Sequence, residues 1–287
     1  RSEIPPMIGS RRFAVLFTAP LTVALLALLI YPLISTVILA FRAPEGDFGI
    51  ANFVAVFTQD GFGQVLGNTA IFTLGSTALS LVLGFSMAYA MDFVEVGRRW
   101  LVSLFMLPLA IMPVVSGLTF GMMLNPAMGV VNQTLLQVGI VGPGWATDTT
   151  TALLTVILID VWQWTPFCFV IVHAGFRSLS SEQREAARVD GASAFQELFH
   201  ISLPMLRNIV IITTVFRFMD AFKAFDTIYI VTQGGPGRSS ETLIIRAFME
   251  GFRFYKPHTM AAIGILLLVV TMVSTRFVGR MLEARSA

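Results

Sequence analysis

Apolar residues run without alternation through six stretches of the chain, at about 13–33, 69–91, 101–124, 151–174, 209–231 and 260–278. A helix of about 20 apolar residues spans a hydrocarbon layer about 30 Å thick, so each stretch is long enough to cross a membrane. Continuous rather than alternating apolarity predicts helices and not the strands of a barrel. The fifth stretch stands apart because it carries Arg217, Asp220, Lys223 and Asp226. Between the fourth and fifth lies a polar island, 177–208. Ser180-Ser181-Glu182-Gln183 opens it with a helix-start signal, Ser180 as cap and Gln183 completing a capping box. Glu182 and Glu185 suit the positive end of that helix. Ala186 and Ala187 keep it slim, and Gly191 permits a bend. A second amphipathic helix is expected over 193–200, with Pro204 in the first turn of the fifth span. The expected fold is an all-α integral membrane protein of six transmembrane helices, a single domain over 1–287 with a polar loop at 177–208.

Composition supports lipid as the solvent. Hydrophobic residues make up 55% of the chain, charged residues 13%, and mean hydropathy is +0.78, whereas soluble domains carry about 25% charged residues. A net charge of +2 gives no basis for nucleic-acid binding. The single cysteine, Cys168, excludes an intrachain disulfide and reads as a small buried hydrophobe. His173, His200 and His258 lie far apart and no His-Glu-x-x-His occurs, so no metal site is expected. The first apolar run is too long for the core of a signal peptide.

Orientation follows from the basic residues. Of 19 lysines and arginines, Arg217 and Lys223 lie within a span. If the N-terminus is inside, Arg42, Arg238, Arg246, Arg253 and Lys256 fall outside, and all the others, Arg1 and Arg285 included, fall inside. That places both termini and the polar island in the cytoplasm. Gly234-Gly235-Pro236-Gly237 must be a turn on the outer side.

Two clusters carry candidate chemistry. Arg217, Asp220, Lys223 and Asp226 alternate in sign every three residues, so neighbours on a helix can meet. They form an internal salt ladder, pair with charges of a second subunit or, with Asp220 and Lys223 near mid-membrane, make part of a translocation path; ionisable groups at that depth face a bundle interior or a wet cavity. In the fourth span, Asp160, Gln163 and Trp164 share a face, with Phe167 beside them and Pro166 able to loosen the backbone. Carboxylates, amides and aromatic faces suit a solute with hydroxyl and apolar sides. Gly84, Gly117 and Gly121 are candidates for close helix contacts, the last two at the spacing used between membrane helices and offered to a second subunit.

Glu185-Ala186-Ala187, Asp190-Gly191 and, after nine intervening residues, Ile201-x-Leu203-Pro204 resemble the coupling-loop signature of binding-protein-dependent ABC importer permeases. The resemblance extends to Asn52-Phe53, Asn68-Thr69, Leu107-Pro108 with Pro113, Pro126 with Gly129-x-x-Asn132, Asp226-x-Ile228, Thr232-x-Gly234-Gly235-Pro236 and Glu241-Thr242. It is nearest to the carbohydrate-uptake branch, the maltose, trehalose, polyol and glycerol-phosphate type, in its common six-span form. The resemblance implies a type I importer architecture in the bacterial inner membrane. The partners implied are a second permease, two ATPase subunits and an extracytoplasmic solute-binding protein. ATP and Mg belong to the ATPases. Coupling would fall to Glu182, Glu185, Ala186, Ala187, Asp190, Gly191, Ile201, Leu203 and Pro204, and the solute path to Asp160, Gln163, Trp164, Phe167, Asp220 and Lys223. Catalysis is not expected of this chain, which carries no cofactor of its own: a P-loop needs Gly-Lys-Ser/Thr, and neither Lys223 nor Lys256 follows Gly or precedes Ser or Thr. The alternatives are a secondary transporter using Asp160, Asp220 and Lys223 as an ion relay, and an intramembrane enzyme, for which no nucleophile–base pair is visible.

Overall fold

A computed structural model of the chain describes residues 10–43 and 45–283; Arg1 and Arg285, used above for orientation, lie outside them. Among the described residues the fold is helix and loop, with one isolated bridge between Arg42 and Phe48. Five helical segments are long and apolar enough to cross a membrane, and a helix pair bent by 90° brings the number to six if the pair is one span.

Helix α1 (Ser10–Phe41) leads through a short α2 (Ala51–Thr58) into α3 (Phe62–Asp92). The third apolar stretch was expected to be one span. It is instead α4 (Arg98–Met106), a 3-10 turn (Leu107–Ala110) and α5 (Pro113–Met123), with a 90° bend between the two halves. The cause is local. Pro113 has no N–H to give, and the residue before a proline avoids the helical region; Ile111 and Met112 accordingly sit at ψ 132° and 139°. Hydropathy averages across such a break and does not register it. After a small α6 (Val130–Gln137), α7 (Ala152–Ser178) continues as one helix through Pro166. Thr165 Oγ1 donates to the Val161 carbonyl at 2.6 Å there.

The polar island forms α8 (Ser181–Val189) and α9 (Ala194–Glu197), which continues through a π turn (Leu198–Ser202) into α10 (Leu203–Phe222). The fifth span then steps out of helix at Lys223 and resumes as α11 (Asp226–Val231). Neither glycine nor proline marks that step. Helix α12 (Leu243–Phe248), a second π turn and α13 (Pro257–Glu283) complete the bundle.

Helix α7 is the axis: 67% of its spanning window is buried, against 6% for α1, which touches the rest mainly where its end meets α13. The seam between α3 and α7 is built from small residues. Thr73, Ser76, Thr77, Ser80, Gly84 and Ala88 are buried along α3, which lets two backbones approach closely where lipid supplies no hydrophobic drive. A Cβ on Gly84 would lie 2.6 Å from Cys168 Cβ.

Three apolar clusters stack along the bundle. One end holds Ala40, Val56, Phe62, Val65, Leu243 and Ile263. The middle holds Phe72, Val156, Val161, Ala221 and Ile228. The other end, beneath the polar island, holds Ala88, Met91, Phe169, Phe176 and Leu206. Buried asparagines pin the first end. Asn52 Nδ2 donates to the Ala40 and Arg42 carbonyls, both at 2.9 Å, satisfying the last turn of α1. Asn68 Nδ2 donates to the carbonyls of Arg238 (2.7 Å) and Glu241 (3.1 Å). These bonds join segments that the basic-residue count assigns to the same side.

Candidate functional site

The polar island protrudes as a knob. Helix α8 ends in a left-handed glycine: Gly191 has φ +82°, the Ala192 N–H reaches the Ala187 carbonyl at 2.9 Å, and a Cβ on Gly191 would touch nothing within 4 Å. The glycine therefore answers to the Schellman turn that stops α8, not to crowding. A capping box does form in the island, but at Ser193: its Oγ accepts from the Gln196 N–H, and Gln196 Oε1 accepts from the Ser193 N–H.

Of the residues assigned to coupling, Glu182, Glu185, Ala186, Asp190, Gly191 and Pro204 are exposed; Ala187, Ile201 and Leu203 are half-buried. Three apolar side chains not assigned to coupling lie exposed with them: Val189 (87%), Phe195 (70%) and Phe199, the two rings 4.6 Å apart. The available signal was the presence of apolar residues in a segment otherwise polar. Arg184 faces inward instead. It pairs with Asp92 and, at 2.5 Å, with Glu197. Burial opposes its charge, but hydrogen bonds and the charges of both carboxylates outweigh burial and raise its pKa.

The second cluster lies at the heart of the bundle. Arg217 on α10 is fully buried. Its guanidinium pairs with Asp160 on α7, meets Asp220 at 3.4 Å and lies 3.4 Å from Ser80 Oγ on α3. Trp164 stands under it, 5.8 Å from ring centroid to guanidinium carbon. One charge thus ties three helices together. The expected ladder along α10 is reduced to a single rung: Arg217 meets Asp220, whereas Lys223 and Asp226 form no ion pair among the described residues. Lys223 is exposed at the helix end, and Asp220 is partly open, its side chain 34% accessible.

Gln163 is buried but points away from this centre. Its Nε2 donates at 2.6 Å to the Ile111 carbonyl, which the bend between α4 and α5 leaves free of its helical partner. Phe167 is half-buried and packs edge-on to Trp164. A hollow of about 440 Å³ beside α7 is lined by Leu83, Met87, Phe105, Pro108, Trp162 and Pro166. Its lining is apolar and includes none of Asp160, Asp220 or Lys223. No group of three or more His, Cys, Asp or Glu side chains poised for a metal ion occurs among the described residues.

The sequence profile of the family described as "Binding-protein-dependent transport system inner membrane component" matches residues 80–287, which include both the knob and the buried charge centre. The chain belongs to this family. Among other members, the trehalose/maltose transport system permease protein MalF of Thermococcus litoralis is 30% identical over 239 residues, covering 81% of each chain. The sn-glycerol-3-phosphate transport system permease protein UgpA of Agrobacterium fabrum is 30% identical over 252 residues, 86% of this chain and 84% of that one. The structure of a bacterial ABC transporter involved in the import of the acidic polysaccharide alginate matches with a TM-score of 0.85 at 22% identity, covering 96% of this chain and 98% of that one. The fold of this family member is that of an ABC importer permease.

Proposed function

We propose that this chain is one of two permease subunits of an ATP-driven importer for a sugar, polyol or related solute in a bacterial inner membrane. The second permease is a different chain. Two ATPase subunits bind ATP and Mg, and an extracytoplasmic binding protein delivers the solute. The observation that carries this reading is the knob. A slim helix with an exposed acidic and alanine rim, flanked by Val189, Phe195 and Phe199, offers an apolar-centred surface on the side where the basic-residue count places the cytoplasm. Exposed apolar groups with a polar rim suit a protein groove. The family description supports the binding protein, and the carbohydrate and glycerol-phosphate transport named for the relatives supports the solute class.

ATPase closure would push the knob and bias the bundle between two states. Inverting a 1:99 population to 99:1 needs about 5.5 kcal/mol, which ATP-driven closure can supply and this chain cannot. On the solute path, Asp220, Lys223, Trp164 and Phe167 are the side chains open enough to meet a solute. Asp160 and Gln163 act from behind them, the first by holding Arg217 and the second by holding the bend.

Reconstitution tests this directly. The assembled complex in liposomes should take up solute only with ATP and binding protein, and Ala186→Cys should crosslink to the ATPase. Ion-gradient-driven uptake by this chain alone, with no such crosslink, would establish the secondary-transporter reading instead.

A further inference from the structure

A knob that is pushed must be attached to something that moves, and the described residues show one route for that attachment. Helix α8 is short and strongly polar, and it meets the described chain mainly through α9 and the π turn that follows. Its inward face holds Arg184 and the half-buried Ala187, one turn apart. Arg184 Nε donates to Glu197 Oε1 at 2.5 Å, while its Nη2 reaches Asp92. Glu197 closes α9 and is 2% exposed. Asp92 is the last residue of α3, a helix of 31 residues that runs the length of the bundle. Nearby, Tyr89 Oη on α3 donates to the Ala194 carbonyl at 3.0 Å. The end of α3 is thus bound to both halves of the island, and among the described side chains Arg184 carries the link from α8.

From Asp92 the contacts continue inward. Helix α3 packs on α7 more extensively than any other helix pair, and at Gly84 no Cβ fits between them. Helix α7 carries Asp160, and Asp160 holds Arg217 of α10. Tightly packed interiors transmit displacement rather than absorbing it. We propose that Arg184 is a positioning residue for coupling: its bond to Asp92 is the tie through which displacement of α8 moves α3, and through α3 the α7–α10 charge centre. Its bond to Glu197 serves a separate purpose, holding α8 against α9 so that the knob keeps its shape. This inference rests on the transporter reading above.

The two bonds can be cut separately. Asp92→Asn weakens only the tie to α3 and leaves the Arg184–Glu197 pair in place. Arg98 stays anchored as well, because it uses the carbonyls of Asp92 and Val94 and not the Asp92 carboxylate. In the reconstituted complex, Asp92→Asn should leave assembly and ATP hydrolysis near normal and lower solute transported per ATP at least fivefold. Arg184→Gln should lower the same ratio, and Asp92→Asn added to Arg184→Gln should lower it no further, because a contact already lost cannot be lost again. Arg184→Lys, a point charge that cannot fork to both carboxylates, should fall between. An unchanged ratio in Asp92→Asn, or full additivity of the two variants, overturns the tie. If Arg184→Gln does not assemble, Asp92→Asn alone decides. The Ala186→Cys crosslink separates the two levels: docking with an unchanged ratio refutes the tie and leaves the transporter reading intact, whereas no docking in the unsubstituted background refutes that reading itself.

Discussion

At the scale of single residues, the decisive feature is a guanidinium sealed inside a membrane bundle. Arg217 has no exposed surface and Asp160 has 2%. Removing one partner of a buried pair leaves the other charge uncompensated and costs about 3–5 kcal/mol, far more than the pair contributes over an apolar substitute. Asp160→Asn should therefore lower the thermal midpoint in mild detergent sharply, and adding Arg217→Gln should restore much of the loss. Asp220→Asn should cost less than about 1 kcal/mol, because that carboxylate is a third open and screened. A double variant as unstable as Asp160→Asn would show that the pair is not the source. The sequence offered Arg217, Asp220, Lys223 and Asp226 as a local ladder because their spacing is visible along one helix. The partner that matters stands 57 positions away on α7, and pairing across helices leaves no periodic trace. What could be read was the need for a partner, since a lone Asp160 in lipid would be costly.

At the scale of elements, small residues and prolines decide how the helices meet. Gly84 and Gly121 look alike in the sequence, and Gly117-x-x-x-Gly121 carries the familiar small-residue spacing. The structure separates them. A Cβ at Gly84 would lie 2.7 Å from the Phe169 backbone nitrogen, at Gly117 it would lie 3.1 Å from Ile230, and at Gly121 it would meet nothing within 4 Å. Gly117 thus serves a contact within the chain, with α11. Gly84→Ala forces α3 from α7 and should destabilise by about 1–3 kcal/mol; Gly121→Ala fills open space in a helix and should stabilise by up to about 1 kcal/mol. Thermal denaturation of the two variants should shift in opposite directions, and a common shift would discredit the close-approach account. The same division governs the third span. Pro108 and Pro113 stand inside a stretch read as one span; Pro113 breaks it locally, and Gln163 on another helix supplies a donor to the Ile111 carbonyl that the 90° bend leaves free. The glycine stop at Gly191 and the close approach at Gly84 were legible from residue type, whereas the break before Pro113 and the partner of Arg217 were not.

At the scale of the whole molecule, the question is which end of the bundle faces the cytoplasm. The structure gathers Asp92, Arg184 and Glu197 at one end, and Asn52, Asn68, Arg238 and Glu241 at the other. This is the alternation that six crossings require. The basic residues break the symmetry: among the described residues outside the spans, Arg42, Arg238, Arg246, Arg253 and Lys256 belong to the second end and the remaining lysines and arginines to the first. Two of the second group are also neutralised locally, Arg238 by Glu241 at 3.7 Å and Arg246 by Glu241 at 3.3 Å and Glu250 at 2.9 Å, so that end carries less free positive charge than its arginines suggest. Cysteine labelling can test the assignment without a background signal, because Cys168 is fully buried. Val189 and Tyr255, 87% and 83% exposed, report the two ends. In right-side-out vesicles a membrane-impermeant maleimide should label Tyr255→Cys and spare Val189→Cys, and in inverted vesicles the pattern should reverse. The opposite pattern would put the knob outside the cell, where no ATP-hydrolysing partner could reach it. Labelling of both positions from one side would mean that the fifth span, which breaks at Lys223 between α10 and α11, enters and leaves by the same face.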